Sequence, residues 1–299
     1  MCGIVGLFLK SKALQGDLGR LTGLMLCELC DRGPDSAGFA IYGDERKGIT
    51  KICMVNRDGA VDWSDVADRL SSAIGLDVAV EEIEDHAILR TTGSGEIARK
   101  WLIDNVPAAY VLSQGQAIEI FKGVGNPAAI IERLALETRA GTHSIGHTRM
   151  ATESAVTIAG SHPFSTGDDT CLVHNGSLSN HNRLREQLVR NGERFQTEND
   201  SEVAAAYLAS RMRRGDTLQQ ALETGLRDLD GFYTFLVGTR EGFAVIRDPI
   251  ACKPAVIAES DDWVAMATEY RAIAQLPAVE HAKIWEPAPA TAYTWSHAA

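Results

Sequence analysis

The amino-acid sequence predicts an α+β fold in which two antiparallel sheets are covered by helices. Apolar strands open the chain at residues 3–9 and at SAGFAIY (36–42), and a run of short strands closes it. Two adjacent amphipathic helices lie between these groups, within residues 199–228. Strands at both ends of a chain, with paired helices between them, are typical of such a layered architecture.

The first half of the chain alternates strands, helices and tight turns. After the first strand, a helix is predicted with one apolar face, formed by Leu18, Leu21, Met25 and Leu29. The turn DRGPDS then leads into SAGFAIY. Residues from about 45 to 140 are predicted to form an α/β insertion. It contains a predicted hairpin, AYVLSQGQAIEIFKG, and a helix that begins at Asn126 and Pro127.

The second half begins with strands around HSIGHTRM and TCLVHN. In ENDSEVAAAYLASRMRRG, Asn199 and Glu202 have the spacing of a capping box, and Gly215 is predicted to end the helix. Thr217 and Gln220 repeat that box at the next helix. The buried stripe of this second helix is formed by Leu218, Leu222 and Leu226. The closing strands are FYTFLVGT, GFAVIRD, PAVIAE, WVAMAT and TAYTW.

Composition argues against several classes of function. The 299 residues carry a net charge of −11 and contain no block rich in lysine or arginine, which argues against nucleic acid as a partner. No apolar run approaches the roughly 20 residues that a membrane span needs. Six cysteines do not make a disulfide framework in a chain of this length, so a reduced, cytoplasmic location is expected.

The opening MCGIVGLFLK places a thiol directly behind the initiator methionine. Cys2 could be a small residue that enters a buried strand, or part of a signal sequence, although no basic segment precedes the apolar run. A third interpretation is chemical. Removal of Met1 would leave an α-amino group, with a pKa of about 7.7–8.0, beside a thiol with a pKa of about 8.5. The amine could then take the thiol proton, and such a nucleophile needs an oxyanion hole and a substrate clamp.

Five further stretches meet that demand: RGPDS (32–36), GHTRMAT (146–152), SHPF (161–164), HNGSLSN (174–180) and NDSE (199–202). Together with MCGIVG they resemble, in order, the motifs of the class II glutamine amidotransferases, which are N-terminal-nucleophile hydrolases that release ammonia from glutamine. LDGFYTF, RDPIACKP and ATEYRAI are similar to that family as well. The resemblance covers nearly the whole chain outside the insertion. It implies one domain over residues 2–299, built as a four-layer αββα sandwich.

Attack of a thiolate on the glutamine amide creates an oxyanion, which two fixed donors must stabilise. The Asn175 side-chain amide and the Gly176 backbone N–H of HNGSLSN can supply them. A strand-ending turn that merely uses Asn and Gly is the alternative explanation of this motif.

Free glutamine also needs a cation for its α-carboxylate and an anion for its α-ammonium. The resemblance assigns these roles to Arg149 and Asp200, whose alternatives are a surface ion pair and a helix cap. It also implies that Arg32 braces the loop around the nucleophile, and Thr152, at the end of GHTRMAT, is assigned to substrate binding. Glu153 departs from the family, several members of which have histidine there.

The branch of the family is inferred from the insertion and from the lack of residues after 299. Acceptor chemistry is therefore expected on another polypeptide. AYVLSQGQAIEIFKG resembles the corresponding stretch of glutamate synthase large subunits. The resemblance implies a stand-alone glutaminase subunit of a split glutamate synthase, similar to that of N-methylglutamate synthase. FMN and an iron–sulfur cluster are expected on a partner synthase subunit, a further β-helix subunit is expected, and no cofactor or metal is expected on this chain.

Two other functions remain open from the sequence. The chain could be a catalytically silent scaffold or glutamine-sensing subunit of the same complex, which retention of Met1 would favour. It could also hydrolyse another amide, although the amino-acid clamp would then have no purpose. The cysteines of CELC (27–30), with Cys171 and Cys252, are interpreted as core thiols rather than as metal or redox groups.

Overall fold

The computed structural model describes residues 2–57, 59, 61–151 and 155–297, so Met1, Thr152 and Glu153 lie outside the described residues. The first half of the chain comprises β1 (Gly3–Leu9), α1 (Leu18–Cys27), β2 (Ser36–Tyr42), β3 (Ile49–Asn56), α2 (Trp63–Ile74), β4 (Val78–Ile83), β5 (His86–Thr92), α3 (Gly95–Asn105), β6 (Ala109–Gly115), β7 (Ile118–Val124), α4 (Pro127–Arg133) and β8 (His143–Arg149).

The second half continues the same alternation of strands and helices. It comprises β9 (Phe164–Gly167), β10 (Thr170–Leu178), α5 (His181–Arg190), α6 (Asp200–Arg213), α7 (Leu218–Asp228), β11 (Gly231–Gly238), β12 (Gly242–Arg247), β13 (Val256–Glu259), β14 (Trp263–Ala267), α8 (Tyr270–Ile273), β15 (Lys283–Trp285) and β16 (Ala292–Ser296). Among the described residues, no helix has the length and apolar character needed to cross a membrane.

Two antiparallel sheets form the centre of the molecule, as predicted. One has the strand order β15-β13-β14-β1-β8-β2-β7 and the other β16-β12-β11-β10-β9. The two sheets pack closely face to face. A Cβ atom placed on Gly6 of β1 would lie only 2.6 Å from the Leu236 side chain of β11. Helices α1 and α4 cover the first sheet, and α5, α6 and α7 cover the second. The fold is therefore the four-layer αββα sandwich.

A third, four-stranded sheet of order β4-β5-β3-β6 lies between β2 and β7 in the chain and packs against α2 and α3. The predicted hairpin over residues 109–123 is wrong, because β6 pairs with β3 while β7 pairs with β2 of the seven-stranded sheet. The crossing between them is held by Asp169, whose carboxylate accepts the backbone N–H groups of Gln116, Ala117 and Ile118 at 2.8–2.9 Å.

The helix ends follow the sequence with one exception. The N-terminal caps predicted for α4 and α7 are present, including the full capping box that begins at Thr217. At α6, Asn199 accepts the N–H of Ser201 at 2.9 Å, but Glu202 does not complete the box. The Glu202 carboxylate instead binds the backbone N–H groups of residues 196 and 197 at 2.8 Å. Glu202 thereby fixes the loop that leads into the helix.

The cysteine predictions are only partly correct. Cys171 is buried, as expected, but Cys27 and Cys252 are exposed and Cys30 is half-buried. Cys27 is exposed because α1 buries only one face, and Leu24, one turn earlier on the same side, is exposed as well.

Candidate active site

The thiol of Cys2 lies where the central strand of the first sheet begins. Cys2 directly precedes β1, which is flanked by β8 and β14. The backbone N–H of Met150, just beyond the end of β8, points at the Cys2 sulfur at 3.4 Å, and the thiol lies 3.6 Å from the Met150 carbonyl oxygen. The nucleophile proposed from the sequence is thus half-exposed, with its sulfur held at the rim of the sheet.

Asn175 reaches Cys2 from the second sheet. Its side-chain Nδ2 lies 3.3 Å from the Cys2 carbonyl oxygen and 3.4 Å from the Thr268 hydroxyl oxygen, which also accepts the N–H of Ile4 at 2.8 Å. On the other side, the Asn175 Oδ1 lies 3.2 Å from Nε2 of His147. The amide therefore directs its N–H groups toward Cys2.

His147 fixes that orientation of the amide, a role that the sequence did not reveal. Burial of His147 lowers its pKa to about 3, so the ring is neutral at physiological pH. Because Asn175 offers an oxygen to Nε2, the proton of the neutral ring must be on Nε2. The motif GHTRMAT thus contributes the positioning group of Asn175, two residues before Arg149.

Two glycines allow the backbone segments around Cys2 to meet. Gly176 has a φ of +136°, and a Cβ atom there would lie 1.9 Å from the carbonyl oxygen of Phe232 on β11. At Gly33, a Cβ atom would lie 2.3 Å from the backbone carbon of Thr148. Any larger residue would push apart the strands that carry Asn175 and the RGPDS turn.

Arg32 touches the nucleophile from the RGPDS turn. Its Nε donates to the Cys2 carbonyl oxygen at 3.3 Å, and its guanidinium forms an ion pair with Glu269. Glu269 also pairs with Arg271 at 2.7 Å, and Arg271 pairs with Asp31 at 2.9 Å. This chain of charges fastens the turn to the segment after β14. The motif ATEYRAI contains Glu269, but no local pattern indicated that its partner would be Arg32.

The two residues assigned to the amino-acid clamp lie beside the same segments. Arg149 is the last residue of β8, directly before Met150, and only 8% of it is exposed. Asp200 is the first residue of α6, and its Oδ2 accepts the N–H of Leu178, two residues beyond Gly176, at 2.9 Å. Thr152, the remaining substrate-binding candidate, lies outside the described residues.

Buried histidines from three of the motifs form a wall behind the site. The Ser201 hydroxyl lies 2.9 Å from both His162 Nε2 and His174 Nδ1, and the rings of His162 and His147 are 4.1 Å apart. Burial lowers the pKa of His174 to about 4 and holds that of His162 well below its usual range. The contacts among these neutral rings and Ser201 connect β8, β10 and the start of α6. No single motif could have indicated them, because each motif contributes only one of the rings.

Among the residues that the structure describes, no group of three or more His, Cys, Asp or Glu side chains is placed to hold a metal ion. The arrangement combines a thiol, an oriented amide, a buried guanidinium and a carboxylate.

Comparison with known proteins gives the same family as the motifs. A glutamine amidotransferase domain matches residues 147–275. The chain is 51% identical over 298 residues to the glutamine amidotransferase-like protein GlxB of Rhizobium meliloti, covering 99% of each protein. It is 36% identical over 280 residues to a putative glutamine amidotransferase of Methanothermobacter thermautotrophicus, covering 90% of this chain and 92% of that protein.

Among solved structures, the chain is similar to the glutamine phosphoribosylpyrophosphate amidotransferase of Bacillus subtilis. The TM-score is 0.63 at 22% identity, and the match covers 99% of this chain but only 47% of the other. This likeness shows the fold, while the two relatives similar over nearly their full length show the family. The chain therefore belongs to the class II glutamine amidotransferases.

Proposed function

We propose that this chain, in the cytoplasm, hydrolyses L-glutamine to L-glutamate and ammonia through a thioester on Cys2. The observation that carries the proposal is the convergence of Asn175, from the five-stranded sheet, and Arg32, from the RGPDS turn, on the Cys2 carbonyl oxygen at 3.3 Å each. Such preorganised donors beside a thiol are the arrangement that acyl transfer requires.

The first half of the reaction forms the thioester. After removal of Met1, the α-amine of Cys2 takes the thiol proton, and the sulfur attacks the side-chain carbonyl carbon of glutamine. The oxyanion is stabilised by the Asn175 amide, which His147 keeps in the donating orientation, and by the Gly176 N–H. The protonated α-amine then gives its proton to the departing ammonia.

The second half regenerates the enzyme. Water attacks the thioester carbon, the same amine takes its proton, and the carbon–sulfur bond breaks to release glutamate. Arg149 binds the α-carboxylate and Asp200 the α-ammonium throughout, which restricts the site to a free amino acid. In the structure, one oxygen of the Asp200 carboxylate accepts the Leu178 N–H, and the other accepts the Ser201 hydroxyl at 3.3 Å and lies 3.8 Å from His174 Nδ1.

The test is intact mass before and after treatment with 6-diazo-5-oxo-norleucine, an affinity label for glutamine sites. We expect a chain without Met1 that gains one label, mapped to Cys2. The exposed thiol of Cys252 is the internal control and should remain unlabelled, and a Cys2→Ala variant should take up no label. A chain that retains Met1 and is not labelled would contradict the proposal and favour a scaffold or glutamine-sensing subunit.

We further propose that the ammonia is consumed by a separate synthase subunit that carries FMN and an iron–sulfur cluster, in a complex that also contains a β-helix subunit. GlxB is matched over 99% of its length, whereas the phosphoribosylpyrophosphate amidotransferase has another half that this chain does not match. The insertion motif AYVLSQGQAIEIFKG is the support for the glutamate synthase type.

A reconstituted complex tests the partner. Glutamine hydrolysis by the isolated chain should be slow and should rise when the synthase subunit and its acceptor are added. Flavin and iron–sulfur absorbance should accompany the complex and be absent from the isolated chain. Equal hydrolysis rates with and without the partner would contradict this assignment without affecting the proposed chemistry at Cys2.

A further inference from the structure

A second pair of thiols, separate from Cys2, lies at the end of α1. Cys27 is the last residue of that helix and is exposed, and Cys30 follows three residues later and is half-buried. The helical path continues beyond the helix, because the N–H of Cys30 donates to the Cys27 carbonyl oxygen at 3.2 Å. Residues three apart on such a turn lie on the same side, with Cα atoms about 5 Å apart. This separation is within the range that a disulfide requires.

The two thiols influence each other's ionisation. The Cys30 Sγ donates to the Leu26 carbonyl oxygen at 3.7 Å, and the neighbouring Cys30 thiol lowers the pKa of Cys27 to about 7. Partial burial and the nearby carboxylates of Glu137 and Glu28 act in the opposite direction but are outweighed. The neighbouring Cys27 thiol and partial burial raise the pKa of Cys30. Cys27 is thus the exposed thiol that ionises first, and Cys30 is the protonated thiol directly behind it.

We propose that Cys27 and Cys30 form a redox-active dithiol, which a peroxide converts into an intramolecular disulfide and a thiol reductant restores. The Cys27 thiolate attacks one peroxide oxygen, the O–O bond breaks, and Cys27 becomes a sulfenic acid as water or an alcohol leaves. The Cys30 sulfur then attacks the Cys27 sulfur and loses its proton, so that an S–S bond forms and the hydroxyl group leaves as water. Two thiols are oxidised by two electrons, and one peroxide is reduced.

The position of this dithiol connects it to the glutaminase site. Leu29, between the two cysteines, accepts the Thr148 hydroxyl on its carbonyl oxygen at 2.9 Å. Leu29 also packs closely against β1. A Cβ atom placed on Gly3 would lie only 2.8 Å from the Leu29 Cβ atom. The turn therefore contacts the residue after Cys2 and the penultimate residue of β8, and it leads directly to Arg32. Closure of the disulfide would act on a segment that already borders the nucleophile.

Tryptic mapping of the full chain tests the proposal. Cleavage after Arg20 and Arg32 gives one peptide, residues 21–32, that contains both thiols and no others. A Cys2→Ala chain would be treated with equimolar hydrogen peroxide, quenched with N-ethylmaleimide and digested. We expect this peptide to be two hydrogens lighter and unlabelled, and to take up two labels after treatment with dithiothreitol.

Three controls make the result specific. Cys252 is also exposed, and it should remain open to N-ethylmaleimide at the peroxide dose that closes the pair. Cys30→Ser should stop the reaction at the sulfenic acid of Cys27, which dimedone would trap. Cys27→Ser should leave Cys30 reduced and alkylated. Full labelling of both thiols after peroxide, or oxidation of Cys252 to the same extent, would overturn the proposal.

Discussion

Asn175 is held on one side by a neutral ring and faces the nucleophile on the other. Removal of its amide should therefore affect the transition state more than substrate binding. We expect Asn175→Ala to lower kcat for glutamine hydrolysis by about 10²–10³, with KM nearly unchanged, because a single oxyanion donor contributes about that much. Initial rates of glutamate formation would measure this. The exposed Asn191 offers a matched control, and Asn191→Ala should leave both constants unchanged; an equal fall in both variants would refute the role.

Substitution of Arg149, in contrast, should weaken substrate binding rather than slow catalysis. Arg149→Lys keeps the positive charge but loses the planar fork that holds a carboxylate by two bonds. We expect KM to rise about 10- to 100-fold with kcat changed less than about threefold. Substrate saturation curves would separate the two constants. Arg190→Lys, on the exposed surface of α5, is the control and should match the parent chain; a fall in kcat alone would argue against a clamp.

At this scale the sequence predicted candidate catalytic and binding residues but not the residues that hold them in place. Cys2, Asn175 and Asp200 could be found because each lies in a short motif with its own chemical logic. His147 lies in the motif GHTRMAT, but its contact with Asn175 forms only because the sheet that contains β8 packs against the sheet that contains β10. The pairing of Arg32 with Glu269 joins residues that are 237 positions apart, which no local pattern can indicate.

At the scale of elements, the crossing from β6 to β7 depends on a single carboxylate. Asp169→Asn would leave one neutral oxygen where two charged ones now accept three backbone N–H groups. We expect a loss of about 2–4 kcal/mol in the free energy of unfolding, since hydrogen bonds to charged groups contribute about 1.5–3 kcal/mol each. Urea denaturation would measure this.

The adjacent Asp168 provides the control for that substitution. It is exposed and bonds to a side-chain amide of Gln114 rather than to the backbone crossing. Asp168→Asn should change the free energy of unfolding by less than about 0.5 kcal/mol. Similar losses in the two variants would mean that the crossing does not depend on Asp169.

Periodicity and caps located most elements correctly, and the failure at residues 109–123 has a physical reason. Two alternating apolar strands around Gly115 have the local signature of a hairpin, and local signals do not indicate which sheet each strand joins. The deciding group, Asp169, lies about 50 residues later in the chain. Local spacing also failed for Glu202. Its spacing from Asn199 predicts a capping box, but its carboxylate accepts backbone N–H groups of the preceding loop instead.

At the scale of the whole molecule, buried histidines make stability depend on pH. The pKa of His143 and that of His147 are lowered to about 3 by burial, against about 6.5 in an unfolded chain. Below pH 6.5 the unfolded state therefore binds protons that the folded state does not, and stability falls as the pH falls. Each such group contributes up to about 1.4 kcal/mol per pH unit between pH 6.5 and its folded pKa.

Urea denaturation at pH 7, 6 and 5 would measure this dependence. His143→Gln removes one buried histidine away from the active site, so its stability should fall less steeply with decreasing pH than that of the parent chain. The exposed His281 is the control, and His281→Gln should retain the parent slope. Parallel curves for His143→Gln and the parent chain would contradict the explanation.

The central place of β1 also bears on the order of events during synthesis. The first strand to leave the ribosome is completed on its two sides by β8 and β14, which end at residues 149 and 267. At about 5–20 residues per second, the last of these emerges roughly 10–50 s after the N-terminus. The proposed removal of Met1 would therefore take place on a nascent end whose first strand is not yet paired on both sides.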